Sequence, residues 1–195
     1  MPDPAQVKRA LRAQLRERRR IATATERERA ADGIAQRLGA LVRDRGARSI
    51  AAYLSTPNEP DTRGFLRSAH ADGIRILLPI SRRDGLLDWA PYDGEAEDED
   101  TLGMPMPTTE LLGPIAINDV DLIIVPAAAV DASGMRLGWG QGYFDKTLGS
   151  MAARPPVYAV VFDDEVLDEL PAERHDEPVD GAVTPTRTIE FARSA

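Results

Sequence analysis

Residues 121–126 read Asp121-Leu122-Ile123-Ile124-Val125-Pro126. From residue 136 the chain reads Arg136-Leu137-Gly138-Trp139-Gly140-Gln141-Gly142-Tyr143-Phe144-Asp145-Lys146. After Asp121 the first run is wholly apolar and is closed by proline, the pattern of a strand buried on both faces near the centre of a sheet. The second run sets three glycines at alternate positions before a helix expected over Tyr143–Met151. A buried strand, a glycine turn and a helix in that order define a unit of an α/β sheet.

The same alternation extends in both directions. Upstream, Ser49–Leu54 reads as a strand, Asp61-Thr62 caps a short helix reaching about Asp72, and Ile74–Pro79 and Leu86–Tyr92 read as strands. Downstream, strands are expected at Val157–Phe162 and around Ala182–Thr184. Residues 3–46 read as two helices: Asp3-Pro4 starts the first, which carries an apolar stripe (Val7, Leu11, Leu15) and a basic one (Lys8, Arg12, Arg16, Arg19). Ile34, Leu38, Leu41 and Val42 mark the apolar face of the second, and Gly46 stops it. The acidic run Glu95–Asp100 and the Gly/Pro-rich stretch Gly103–Pro114 read as loops. The expectation is a three-layer α/β/α fold with a mixed, mostly parallel sheet and helices on both faces. Residues 1–195 would form one domain, with the basic helical segment 1–46 packed on it.

Composition narrows the chemistry. The chain of 195 residues has no cysteine and two histidines, which excludes thiolate nucleophiles, disulfides and multi-histidine metal centres. Residues 1–48 carry 13 Lys/Arg against 6 Asp/Glu, while the remainder carries 11 against 26. A basic arm on an acidic body suits a small anionic ligand and disfavours long nucleic acid, which most of the surface would repel. The first residues lack an apolar signal core and no 18-residue apolar run occurs, so a cytoplasmic protein without membrane contact is expected, working as a monomer.

The glycine run is the strongest local signal. Without Cβ atoms the backbone N–H groups can turn toward an anion, and the helix start adds about half a positive charge there. Gly138-x-Gly140-x-Gly142 matches neither the dinucleotide fingerprint, which would need glycine at Tyr143, nor a P-loop, which would end in Gly-Lys-Thr/Ser. The run is therefore either a phosphate cradle of another kind or a turn. Asp145 favours the cradle, because a carboxylate beside phosphate calls for a bridging cation, and Mg²⁺ is the natural one. Lys8 and Arg12 lie four residues apart on one helix face and could reach the same polyanion, or simply be solvated. Glu59 follows a strand end, where α/β proteins bind ligands, and could hold a heterocycle's N–H groups. His175 is a candidate base or a loop bystander; His70 reads as a bystander and Trp89 as core.

Together these pieces resemble the 5-formyltetrahydrofolate cyclo-ligase (5,10-methenyltetrahydrofolate synthetase) family. The resemblance runs from Lys8 to about Thr188. It rests on Lys8-x-x-Leu11-Arg12, Tyr53-Leu54-Ser55 with Glu59, Leu78-Pro79, Asp121–Pro126, the glycine run through Asp145, and His175-Asp176 with Asp180. It implies closure of 5-formyltetrahydrofolate to 5,10-methenyltetrahydrofolate with ATP and Mg²⁺, releasing ADP and phosphate after phosphorylation of the formyl oxygen. By the same resemblance, Lys8, Arg9, Ala10, Leu11 and Arg12 contact ATP. So do Arg136, Leu137, Gly138, Trp139, Gly140, Gln141, Gly142, Tyr143 and Phe144. Lys8 and Arg136 are the catalytic cations. Leu54, Glu59 and Tyr143 contact the folate, with or without a polyglutamate tail, and Asp145 and Asp180 hold the metal. Two other readings compete: a sugar-phosphate isomerase or acyl-CoA transferase-like enzyme on a similar scaffold, and a non-catalytic nucleotide- or RNA-binding protein.

Overall fold

The computed structural model describes residues 3–95, 97–173 and 176–192. Helices α1 (Pro4–Ile21) and α2 (Ala24–Asp44) lead into strand β1 (Ser49–Ala51), helix α3 (Arg63–Ala71) and strands β2 (Arg75–Ser81) and β3 (Leu87–Pro91). After the short strands β4 (Glu97–Glu99) and β5 (Pro105–Pro107) come a 3-10 helix over Pro114–Asp119 and strands β6 (Leu122–Pro126), β7 (Ala129–Asp131) and β8 (Arg136–Leu137). Helix α4 (Tyr143–Ser150) precedes β9 (Val157–Val160), β10 (Val166–Leu167), β11 (Gly181–Val183) and β12 (Thr188–Glu190). Among the described residues no helix is long and apolar enough to cross a membrane.

The main sheet runs β12-β11-β9-β6-β1-β2-β3. Its inner strands β11, β9, β6, β1 and β2 are mutually parallel; β12 and β3 close the two edges antiparallel. The apolar run expected at the centre is β6, the middle strand. Period-2 geometry divides its side chains between two cores. Leu122 and Ile124 pack with Ile34 and Leu38 of α2 and Phe65 and Leu66 of α3, whereas Ile123 and Val125 pack with Ile117, Val120 and Leu148 of α4. Each such side chain, fully buried, contributes about 1.5–3 kcal/mol, so the three-layer arrangement follows from the alternation.

Local signals place the helices. Asp3 caps α1 by accepting from the Ala5 N–H. A capping box between Thr23 and Glu26 opens α2. The α1 face differs from the expected apolar stripe: Lys8, Leu15 and Arg19 are buried, while Val7 and Leu11 are only half-buried. Leu15 packs with Ala128, Ala129, Leu137 and Leu170 beside the small sheet β10-β7-β8. The charged neighbours sink with it because carboxylates and carbonyls meet them there.

Three expectations need correction. The acidic run and the Gly/Pro-rich stretch are not wholly loops: Asp98 pairs with Met106 in the β4–β5 hairpin, and Trp89 bridges Leu112. Asp100 closes the turn by accepting from the Leu102 and Met104 N–H groups. Strands β1 and β9 end earlier than their apolar runs, at Ala51 and Val160; after β1 the chain passes to Tyr53 and Leu54, which line a cavity. Beyond β11 the edge strand β12 adds a pairing that no apolar run announces.

Gly33 marks a close approach. A Cβ there would lie 2.3 Å from the Pro185 carbonyl oxygen. Alanine improves helix propensity by about 1 kcal/mol, but a backbone collision of this kind costs typically about 1–3 kcal/mol. Gly33→Ala is therefore expected to lower Tm in a calorimetric scan; a higher Tm would show that α2 can withdraw from residue 185.

Candidate functional site

The β7–β8 hairpin and the loop to α4 bring the site together at the carboxyl edge. Arg136, on β8, is buried; its Nη2 donates to Asp145 Oδ1 at 2.7 Å and its Nη1 to the Pro126 carbonyl at 3.2 Å. Asp145 stands in the first turn of α4, so ten residues of sequence carry both partners of the pair. Between them Gly140 and Gly142 adopt φ of 102° and 71°, a conformation glycine takes without strain. Arg12 crosses from α1 and donates through Nε to the Gly138 carbonyl at 2.7 Å. Burial, and then neighbouring Arg16, lowers the pKa of its guanidinium, which remains a cation.

Two cavities of opposite character adjoin here. The apolar one is walled by Leu54, Pro79, Leu87, Met104, Tyr143 and Phe144, with Glu59 and Trp139 on its lining. The polar one is lined by Lys8, Arg9, Arg12, Gly140, Glu173 and Asp176 among others. Arg136, Gly138, Gly142 and Asp145 line both, so any ligand reaching across the boundary meets a buried cation and a carboxylate. Tyr143 donates from Oη to the Arg82 carbonyl at 2.9 Å, fixing the ring against the β2–β3 turn. Glu59 is held by the Thr56 N–H and Oγ1 at 2.8 and 3.0 Å through a single oxygen, Oε2.

Lys8 does not stand free. Its ammonium meets Glu173 at 2.7 Å and Asp176 at 2.6 Å. Burial disfavours its charge, but the Asp176 and Glu173 hydrogen bonds outweigh burial and hold its pKa above the ordinary lysine value. Arg19 lies beside the site, its guanidinium 4.8 Å from the centre of the Trp139 ring and paired with Glu165 at 2.7 Å.

The proposed contacts thus fall into groups. Lys8, Arg9, Arg12, Leu137 and Gly140 line the polar cavity; Leu54, Glu59, Trp139, Gln141, Tyr143 and Phe144 line the apolar one. Ala10 is exposed and Leu11 packs in the core around Leu15, so neither faces a cavity. Asp180 is not brought to Asp145. It precedes β11 at the amino edge of the sheet, accepts from the Val157 N–H at 2.8 Å, and lines a separate pocket with Ser133 and Arg154. Three strand steps, about 10 Å, separate that edge from Pro126 and Arg136. His175 lies outside the described residues. His70 sits edge-on to Tyr92 at 5.6 Å, away from both cavities. The apolar periodicity does not reveal Met104 of the hairpin, Tyr53 or the partners Glu165, Glu173 and Asp176.

Fold and site define an α/β enzyme whose ligand cleft opens at the carboxyl ends of parallel strands, beside a glycine turn. Residues 4–185 match the 5-formyltetrahydrofolate cyclo-ligase family. The chain is 40% identical to the 5-formyltetrahydrofolate cyclo-ligase of Mycolicibacterium smegmatis over 75% of its own length and 78% of that protein's. It is 28% identical to the Escherichia coli K12 protein of the same name, over 91% of this chain and all of that one. The 5,10-methenyltetrahydrofolate synthetase of Aquifex aeolicus superposes with a TM-score of 0.79 at 25% identity, over 97% and 96% of the two chains. That of Mycoplasma pneumoniae shares the fold with a TM-score of 0.73 at 22% identity, over 91% and 98%. The chain belongs to the 5-formyltetrahydrofolate cyclo-ligase family and is an enzyme of that family.

Proposed function

We propose that this chain closes 5-formyltetrahydrofolate to 5,10-methenyltetrahydrofolate at the expense of ATP, the triphosphate lying in the polar cavity and the folate ring system in the apolar one. The observation that carries the reading is the shared boundary of the two cavities at Arg136, Gly138, Gly142 and Asp145. There the γ-phosphate and the formyl group would meet.

The formyl nitrogen is part of an amide, and its oxygen cannot leave as oxide. Transfer of the γ-phosphoryl group to that oxygen breaks the bond to ADP and turns the oxygen into part of a phosphate ester. The neighbouring aryl amine then attacks the formyl carbon, its N–H proton is released, and the C–O bond breaks to free phosphate. Phosphoryl transfer requires alignment and charge neutralisation, with no protein nucleophile, which suits a chain without cysteine. Gly138, Gly140 and Gly142 offer main-chain donors to the phosphates, and Arg136 and Arg12 balance their charge. Lys8, held between Glu173 and Asp176, orders the far wall.

The residues fit a divalent cation at Asp145. Its Oδ1 accepts from Arg136, and Oδ2 has no hydrogen bond among the described residues. Mg²⁺ commonly binds through one or two carboxylates plus substrate phosphates. Asp145 would hold it, and the ion would neutralise phosphate charge; Asp180, which accepts from the Val157 N–H at the other edge of the sheet, is not part of this reading of the site.

The test mixes purified protein with 5-formyltetrahydrofolate, ATP and Mg²⁺ and follows the absorbance of the methenyl product. Product is expected only when all three are present. Absence of product, or its appearance without ATP, would overturn the reading.

A further inference from the structure

The basic stripe of α1 continues past the polar cavity. Lys8 meets Glu173 and Asp176, and Arg12 meets the Gly138 carbonyl, but Arg16 and Arg19 approach a different target, the indole of Trp139. The centre of that ring lies 5.2 Å from the Arg16 guanidinium carbon and 4.8 Å from that of Arg19. The side chain also packs against the core around Leu15 and Leu137. Arg19 is fixed by its pair with Glu165, whereas Arg16 is exposed and enters no ion pair among the described residues.

Like charges three and four residues apart on a helix repel one another, so this convergence of cations needs something to offset it. An electron-rich face does so, and tryptophan offers the strongest of the aromatic side chains. The indole N–H points the same way. It is buried without a hydrogen-bond partner among the described residues, and leucine or phenylalanine would fill the place without stranding a donor.

What the ring holds is the glycine turn. Trp139 lies between Gly138 and Gly140, and Gly140 and Gly142 have positive φ, in a stretch where glycine is free to take many other conformations. Arg12 holds the Gly138 carbonyl at 2.7 Å and the Lys146 N–H holds the Gly142 carbonyl at 3.0 Å; Trp139 is the anchor between them. Gly138, Gly140 and Gly142 line the polar cavity, but neither Arg16 nor Arg19 does. We propose that Arg16 and Arg19 are positioning residues for the nucleotide: by holding the Trp139 ring they keep the Gly138–Gly142 turn in the geometry that lines the polar cavity. This rests on the ATP reading above. With the ring released, ATP has to order the turn as it binds, which weakens affinity. Once the turn is in place, the chemical step is the same.

Arg16→Gln gives the cleaner test, because a change at an exposed position of this kind moves Tm little. The KM for ATP is expected to rise about two- to fivefold, the effect of one exposed cation over an indole. The kcat, the KM for 5-formyltetrahydrofolate and Tm should stay as they are. Trp139→Leu, which keeps an apolar side chain against Leu15, should raise the KM for ATP about tenfold, and adding Arg16→Gln to it should raise it no further. An unchanged KM for ATP in Arg16→Gln would overturn the proposal. So would an equal rise on the Trp139→Leu background, because Arg16 would then act on the phosphates by charge alone. Should Trp139→Leu fail to fold, Trp139→Phe replaces it: over the weaker face the Arg16→Gln effect should shrink, and an undiminished effect would again overturn the proposal. Wild-type protein assayed alongside separates the two levels. ATP-dependent methenyl product upholds the reading of the site whatever the variants do; product without ATP, or none, sinks that reading and this inference with it.

Discussion

Arg19→Met should lower stability by about 3–5 kcal/mol, the range for breaking a buried ion pair from one side. For a chain of this size that is a fall in Tm of roughly 6–20 °C. Arg19 and Glu165 are both nearly inaccessible, and their paired atoms lie at 2.7 Å. The guanidinium also donates to the Ala127 carbonyl at 2.8 Å, so methionine would strand a carboxylate and a carbonyl together. The loss should depend on pH in a direction set by Glu165. Burial already pushes that carboxyl above its ordinary value, with Arg19 opposing. Without Arg19 the folded-state pKa rises further above the unfolded one, and the folded form binds the proton more tightly. Stability then improves as pH falls through the folded pKa and is lost as pH rises through it. Urea unfolding at pH 5 and pH 8 should show the variant closer to wild type at the lower value, and Arg19→Met with Glu165→Gln should recover part of the loss. A small, pH-independent effect would mean that water reaches Glu165 and that the pair is not what fastens α1.

That pair also shows where reading the residues in order stops working. The inner strands of the main sheet are legible because parallel strands buried on both faces appear as unbroken apolar runs, as in Leu122–Pro126. The face of α1 is not. Apolar periodicity points to Val7, Leu11 and Leu15, yet Lys8 and Arg19 are buried, because their carboxylate partners arrive from residues 165–176, more than 140 positions later. The β4–β5 hairpin has no apolar alternation; the Asp100 carboxylate bonds to the Ser81, Leu102 and Met104 N–H groups hold it instead. For the site the boundary is the same. Arg136, the glycines and Asp145 can be found together because ten residues hold them. Whether Asp180 joins them depends on which edge of the sheet it lies at, and its own neighbours in the chain do not tell.

Turnover should fall by at least about 100-fold in Asp145→Asn, in the range found when one charge-stabilising group is removed from a reaction centre. Asparagine keeps an oxygen that can accept from Arg136 Nη2, so the loop and the buried guanidinium retain their places, while loss of the counter-charge lowers Tm; turnover is therefore compared per folded molecule. What disappears is the negative charge at the boundary of the two cavities, and with it the carboxylate to which a hard cation would bind beside the phosphates. The loss should persist at saturating Mg²⁺, and it should appear in kcat more than in the folate KM, because the apolar walls that hold the ring are untouched. Asp180→Asn offers the contrast. That carboxylate accepts from the Val157 N–H at the amino edge, so its substitution should act on Tm and leave turnover per folded molecule in place. If Asp145→Asn turned over normally with Mg²⁺ present while Asp180→Asn did not, the cation site would belong at the opposite edge of the sheet, and the shared boundary at Arg136 would lose its claim to be where phosphate and formyl group meet.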